Sequence, residues 1–229
     1  MKSVITLLFC LACIIPSAQA QIDEDQLGGW YMLFWNTSFG DSQWGLQGDI
    51  QLRNWEVAGD LEQLLIRGGI TYKATDNALL TLGYGNITTG EFGDSDETVS
   101  ESRIYQEALI NNKVGHMVYL KHRFRYEQRW VADQDLRTRY RYNLFLTIPL
   151  AKEHFAPKTT YLSFYNELFV NGQRDIGNGA SVQLFDRNRF YGAVGYVVAD
   201  NHKVQLGLIH QKTNTWAKNQ LQVSLHSKF

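Results

Sequence analysis

The residues best suited to chemistry in this chain are arginines and carboxylates that recur at every second position. Arg123, Arg125, Glu127 and Arg129 form one such run, and Arg137, Arg139 and Arg141 form another. Glu167 and Arg189 lie further along in similar surroundings. Spacing by two puts side chains on one face of a β-strand, so each run reads as a strand with a charged face. Paired positions in an antiparallel hairpin have a constant index sum, set by the centre of the turn. A turn near His154 sets Arg141 opposite Glu167, and a loop near Asn178 sets Glu167 opposite Arg189. A hairpin near Asp133 sets Glu127 beside Arg139 or Arg141. The expected result is one network of Glu127, Arg139, Arg141, Glu167 and Arg189, with Arg123, Arg125, Arg129 and Arg137 around it. Two roles are open to such a network. Paired charges can lock facing strands together, because an unpaired charge in an interior is costly. Alternatively, with Arg53, Arg67 and Arg103 adding to the positive excess, the network can form an anion-favouring constriction.

A second constellation lies on the opposite, apolar faces. His122 aligns with Leu120 and Phe124, and Ser102 on the preceding strand is expected within a diagonal step of it. Asn166 interrupts the apolar set of Leu162, Phe164 and Leu168. A serine activated by histidine is a nucleophile, and facing acyl chains it would make a phospholipase or lipid A deacylase type of hydrolase. The plain alternative is a bulge that turns His122 inward. The six histidines have no metal-ligand spacing, and Gly83, Gly85 and Gly90 fall within a strand pattern rather than a phosphate loop. Neither a metal nor a cofactor is expected.

The elements that carry these residues follow from composition and periodicity. With 229 residues, 44% hydrophobic and 20% charged at a net charge of −1, neither disorder nor a polybasic nucleic-acid binder fits. Twelve Tyr, 12 Phe, 6 Trp and 19 Gly against 3 Pro favour strands and tight turns, an all-β chain. The first 20 residues read as a secretory signal peptide: Lys2, an apolar run from Val4 to Ile15, and the small-residue site Ala18-Gln19-Ala20. The domain is then residues 21–229. Cys10 and Cys13 both lie in the leader, and Phe9 before Cys10 is unlike a lipoprotein site, so disulfides and thiolate metal sites are excluded after cleavage. No later window is long and apolar enough for a transmembrane helix.

Alternation then separates two faces. Trp44, Leu46, Ile50 and Leu52 oppose Gln47, Asp49, Gln51 and Arg53; Leu64, Ile66, Ile70 and Tyr72 oppose Arg67, Thr71 and Lys73. The same holds for Tyr140, Tyr142, Leu144 and Leu146 against the arginines of that stretch, and for Leu221, Val223 and Leu225 against Gln220, Gln222 and Ser224. A soluble sandwich shows the same alternation with the apolar face inward. Three features favour a transmembrane antiparallel up-and-down β-barrel: stretches longer than sandwich strands, loops that alternate short and long, and a terminal aromatic, Phe229. Aromatic girdles are expected from Trp44, Tyr72, Tyr196 and Phe229 at one rim and from Tyr84, Trp130, Tyr140 and Phe190 at the other. Eleven stretches fit the pattern. Bacterial barrels usually have even strand numbers, so the expectation is 10 or 12 strands. Trp30 to Phe39, apolar on both faces, is either a wall strand or a cover or plug.

Four stretches in order carry a resemblance: RFRYEQRW at Arg123–Trp130, RYRYNLFLTIPL at Arg139–Leu150, YNELF at Tyr165–Phe169 and FDRNRFY at Phe185–Tyr191. The chain resembles the bacterial family known as domain of unknown function 2490, over roughly Gly28 to Phe229. His122 stands where that family's pattern more often has an apolar residue. The resemblance implies an outer-membrane β-barrel and carries no established activity. It also implies outer-membrane lipids and lipopolysaccharide as surroundings. The strand ending in Phe229 is the expected contact for the barrel-assembly machinery, and no nucleic-acid partner is expected. The reading is a non-enzymatic structural barrel or narrow pore with an arginine-rich lumen, with the lipid hydrolase as the alternative.

Overall fold

The computed structural model describes residues 22–93, 95–150 and 154–229. The signal-peptide reading lies outside them. Eleven strands form a closed barrel: β1 (Gly28–Ser38), β2 (Trp44–Asn54), β3 (Leu61–Lys73), β4 (Ala78–Gly90), β5 (Thr98–Val114), β6 (Val118–Val131), β7 (Arg137–Pro149), β8 (Thr160–Asn171), β9 (Phe185–Ala199), β10 (His202–Lys212) and β11 (Ala217–Lys228). Each strand pairs antiparallel with the next, and β1 closes on β11 in parallel, from Gly28 facing Gln220 to Asn36 facing Lys228.

The expectation of 10 or 12 strands is therefore corrected to 11. In an up-and-down barrel with an odd strand count, the first and last strands point the same way. The seam must then be parallel, and it still satisfies the backbone donors and acceptors that an open edge would leave bare. Trp30 to Ser38 is part of the wall rather than a plug, and its two apolar faces have different destinations. Trp30, Met32 and Phe34 point inward and pack with Tyr191, Ala193, Ile209 and Tyr165. Tyr31 and Leu33 point outward.

The rest of the barrel is inside-out relative to a soluble fold. Ile50, Ile66, Ile70, Leu82, Phe124, Val194, Leu206 and Leu208 are exposed on its outer face, whereas Asp49, Arg67, Glu107, Glu127, Arg141 and Glu167 are buried within it. This is the two-face alternation read from the sequence, and it excludes a sandwich. Aromatic residues gather toward both ends: Trp44 packs on Tyr72 at 4.8 Å near one rim, and Tyr126 on Tyr140 at 5.1 Å toward the other. Gly83 explains one of the strand glycines, since a Cβ there would collide with the inward ring of Tyr105. Connections at the end where β1 finishes are short after β3, β5 and β9, but the one from β7 to β8 is longer than that rule predicts. The opposite end carries the long segment between β8 and β9, tied by the isolated bridge between Asp175 and Ser181.

The parallel seam can be tested by cross-linking in residues 21–229, which contain no cysteine. Leu33→Cys with Leu225→Cys, direct partners across the seam, should oxidise to an intramolecular disulfide seen as a gel shift after denaturation. Leu33→Cys with Val204→Cys, one strand further away, should not. Equal cross-linking of both pairs, or of neither, would exclude the seam.

Candidate functional site: a guanidinium and carboxylate layer across the lumen

Period-two alternation on β5, β6 and β7 aims a column of charges from each strand into the barrel. At the centre is Glu127, fully buried, which faces Arg139 across the β6–β7 pair. One of its oxygens accepts from Arg139 Nη2 at 2.7 Å and the other from Arg141 Nη1 at 2.6 Å. Arg141 also donates to Glu167 at 2.6 Å, and Arg123 reaches the same carboxylate at 2.6 Å. Around this core, Arg125 pairs with Glu107 at 2.5 Å, Arg129 and Arg103 share Glu101, and Arg67 holds Asp49 at 2.9 Å. Asp186 takes Arg139 at 2.7 Å. Most carboxylates here bridge two arginines, so the pairs form a belt that ties adjacent strands. Charge-assisted contacts of this kind are short and strong, and in a low-dielectric interior each depends on its neighbours.

Aromatic rings form a second tier of support. The guanidinium of Arg141 lies 4.4 Å from the Phe169 ring centroid and that of Arg189 lies 4.8 Å from it. Arg125 sits 4.2 Å from Tyr105, and Arg53 and Arg189 sit 4.0 and 4.7 Å from Trp30. The Trp30 indole donates to Glu62 at 2.7 Å. A guanidinium stacked on a flat ring gains an attraction to the ring face that adds to, but does not replace, a counter-charge.

All nine arginines and glutamates expected in the network lie in or beside the lumen, but two of the expected pairings are corrected. Arg141 faces Phe169, and Glu167 faces Asn143. The β7–β8 connection is centred one residue later than assumed, which moves the pairing by two. Because the shift is even, both side chains stay inward, and the long Arg141 side chain still reaches Glu167 along a diagonal. Glu167 does face Arg189, as read. However, Arg189 donates to Gln211 at 2.5 Å and leans over Trp30, so Glu167 is held by Arg141 and Arg123 rather than lying between Arg141 and Arg189. Arg137 lies at the rim of the layer and donates to Gln134 at 3.0 Å. Sequence reasoning missed Glu101, Glu107, Asp49 and Asp186 as partners. The first three were legible by the same parity rule. Asp186 was not, because it enters through an irregularity near Phe169 and Val170.

The second constellation does not assemble. Across the β5–β6 pair, Ile110 faces His122 and Ser102 faces Trp130. That separates Ser102 from His122 by eight positions along the strand, about 26 Å. Strand β5 runs on to Val114, where it pairs with Val118 across a tight turn, so the expected diagonal step between Ser102 and His122 is wrong. Ser102 bonds to the Tyr84 hydroxyl at 2.9 Å and His122 to the Tyr142 hydroxyl at 2.8 Å. His122 stays on the outer face, so the bulge alternative is corrected as well. Asn166 pairs with Asn188 through reciprocal 3.1 Å amide contacts.

The charged layer divides the lumen. A cavity of about 780 Å³ extends inward from the end where β1 and β11 finish, past Lys121, Lys203 and Phe145, and ends on Arg53, Arg67, Arg141 and Arg189. Beyond those four guanidiniums lies a cavity of about 40 Å³. With the geometry in place, the family follows. Residues 27–222 match the family described as protein of unknown function (DUF2490). The chain belongs to this family. No curated protein and no solved structure matches it.

Glu127→Gln keeps the shape and removes the charge that two arginines share. We expect it to destabilise the folded barrel by about 3–5 kcal/mol in urea titration, the usual cost of breaking a buried pair. Arg137→Gln, at the rim, should change stability by less than about 1 kcal/mol. Equal effects of the two substitutions would contradict the central position of Glu127.

Proposed function

We propose that this DUF2490 protein is a bacterial outer-membrane β-barrel that acts as a closed, non-enzymatic barrel with a one-ended vestibule. The observation that carries this reading is the charged layer: the larger cavity stops at four guanidiniums, of which Arg67 is held by Asp49 and Arg141 by Glu127 and Glu167, while Arg53 and Arg189 are stacked on Trp30. A layer cross-linked by buried ion pairs is a wall, because opening it would strand several charges at once. Support for the membrane comes from the exposed apolar belt on a closed barrel and from aromatic pairs toward both rims, the pattern bilayer interfaces select. The leader-like first 20 residues fit export. Outer-membrane lipids and lipopolysaccharide are then its surroundings. The vestibule opens at the end where the short connections lie, the periplasmic side in this orientation. A narrow through-pore is the lesser reading, because it needs the charged layer to part. Hydrolysis by Ser102 and His122 is not part of the proposal.

The reading predicts a protein found in the outer-membrane fraction, migrating differently on gels with and without boiling, and silent in planar bilayers at neutral pH. Recovery in the soluble periplasm would overturn the membrane assignment. Steady conductance steps from the purified protein would overturn the closed barrel and favour the pore.

A further inference from the structure

The layer contains more positive charge than its carboxylates can match. Arginines 53, 67, 103, 123, 125, 129, 139, 141, 187 and 189 face Asp49, Glu62, Glu101, Glu107, Glu127, Glu167 and Asp186, which is ten cations against seven anions. Among the described residues, the excess is concentrated on two arginines. Arg53 donates only to the neutral amides of Gln63 and Gln51, at 2.9 and 2.6 Å, and its Nε is buried with no partner. Arg189 donates only to the amide of Gln211. Both are about 95% buried, at 5% exposure each, and both stack on Trp30. Glu62 is taken up by the Trp30 indole, and Glu167, though it faces Arg189, is taken up by Arg141 and Arg123, so neither arginine forms an ion pair of its own. Two like charges buried against one ring on these terms are costly.

Both arginines line the cavity of about 40 Å³ on the far side of the vestibule floor. Eight arginines contribute to its walls, along with Gln63, Leu65 and Phe169, and no carboxylate does. The volume exceeds what one water requires and suits a single small ion. Arg53 and Arg189 also form part of the vestibule floor, which provides a route of entry.

We propose that this cage binds one small inorganic anion, a halide or a compact oxyanion, held between Arg53 and Arg189. The ion supplies the counter-charge that the chain lacks and accepts the free Arg53 Nε–H. It is a structural ligand of the layer, bound wherever the barrel resides. A lipid phosphate or another organic anion is too large for the cage.

The test uses the purified full barrel in detergent, dialysed exhaustively into sodium gluconate, whose anion does not fit. Melting temperature is then followed against added chloride, bromide or phosphate at constant ionic strength. One saturable site that binds the folded state should raise Tm by roughly 3–5 °C per tenfold increase above its Kd for at least one of these ions. Arg53→Gln and Arg189→Gln should each abolish that slope, while Lys203→Gln, in the vestibule, should keep it. If the arginine variants do not fold, bromide-grown crystals of the unmodified barrel decide the question through an anomalous peak within the cage. No dependence on any of the three anions in the unmodified protein would overturn the proposal. So would a slope that survives in both arginine variants or vanishes in Lys203→Gln, and so would bromide crystals without the peak.

Discussion

Glu127 has no access to water, yet it carries a charge in the middle of a barrel. It is tolerable there only because Arg139 and Arg141 approach its two oxygens from the next strand. The same constraint spreads outward. Arg141 is shared with Glu167, Glu167 with Arg123, and Glu101 with both Arg103 and Arg129. Each carboxylate is thereby fixed by strands it does not belong to, which is why the layer behaves as a unit. Removing one member leaves several others unpaired in a medium that penalises bare charge.

This interior inverts the usual source of stability. A soluble domain is held by apolar side chains that leave water for the core. Here, many of the large apolar side chains face outward and the lumen is largely polar. The exceptions include one cluster, where Trp30, Met32 and Ile209 meet Tyr191, and separate inward residues such as Leu65, Ile87 and Phe169. That apolar cluster lies near the parallel seam, where β1 contributes inward aromatic and aliphatic side chains instead of charges. The barrel wall therefore has two kinds of interior support: ion pairs, on β2 and β3 and from β5 to β9, and apolar packing centred on β1, β9 and β10. Trp30 joins the two, with Arg53 and Arg189 stacked on its ring and Glu62 on its indole nitrogen.

The proposed closed barrel follows from how these supports meet. The vestibule is open and lined by Lys121 and Lys203, but its floor consists of guanidiniums already engaged by carboxylates or rings. A pore lining has charges free to exchange partners with a passing ion. In this layer, most charges have a fixed partner, and the two that lack an ion pair, Arg53 and Arg189, are held by side-chain amides and by the Trp30 ring.

How much of this was legible in the sequence depends on range. Strand existence and facing are local properties, because side chains alternate over neighbouring residues whatever the rest of the chain does. Arg125, Glu127, Arg139 and Arg141 could therefore be assigned to the lumen, and Ile70 and Val223 to the outside, from their parity alone. Register is less local. It depends on where a turn is centred, and an error of one residue at the β7–β8 connection moved Arg141 from Glu167 to Phe169 while leaving both inward. At the β5–β6 turn the same kind of error brought Ser102 and His122 together on paper, whereas the structure keeps them at different heights. The meeting of β1 with β11 has no local signature at all, since Gly28 and Gln220 lie at opposite ends of the chain. The sequence by itself determined which side of the wall each residue occupies, because that follows from backbone geometry. Only the tertiary structure decided which charges meet, because closing the barrel sets every register at once and the long arginine side chains then choose among the carboxylates within reach.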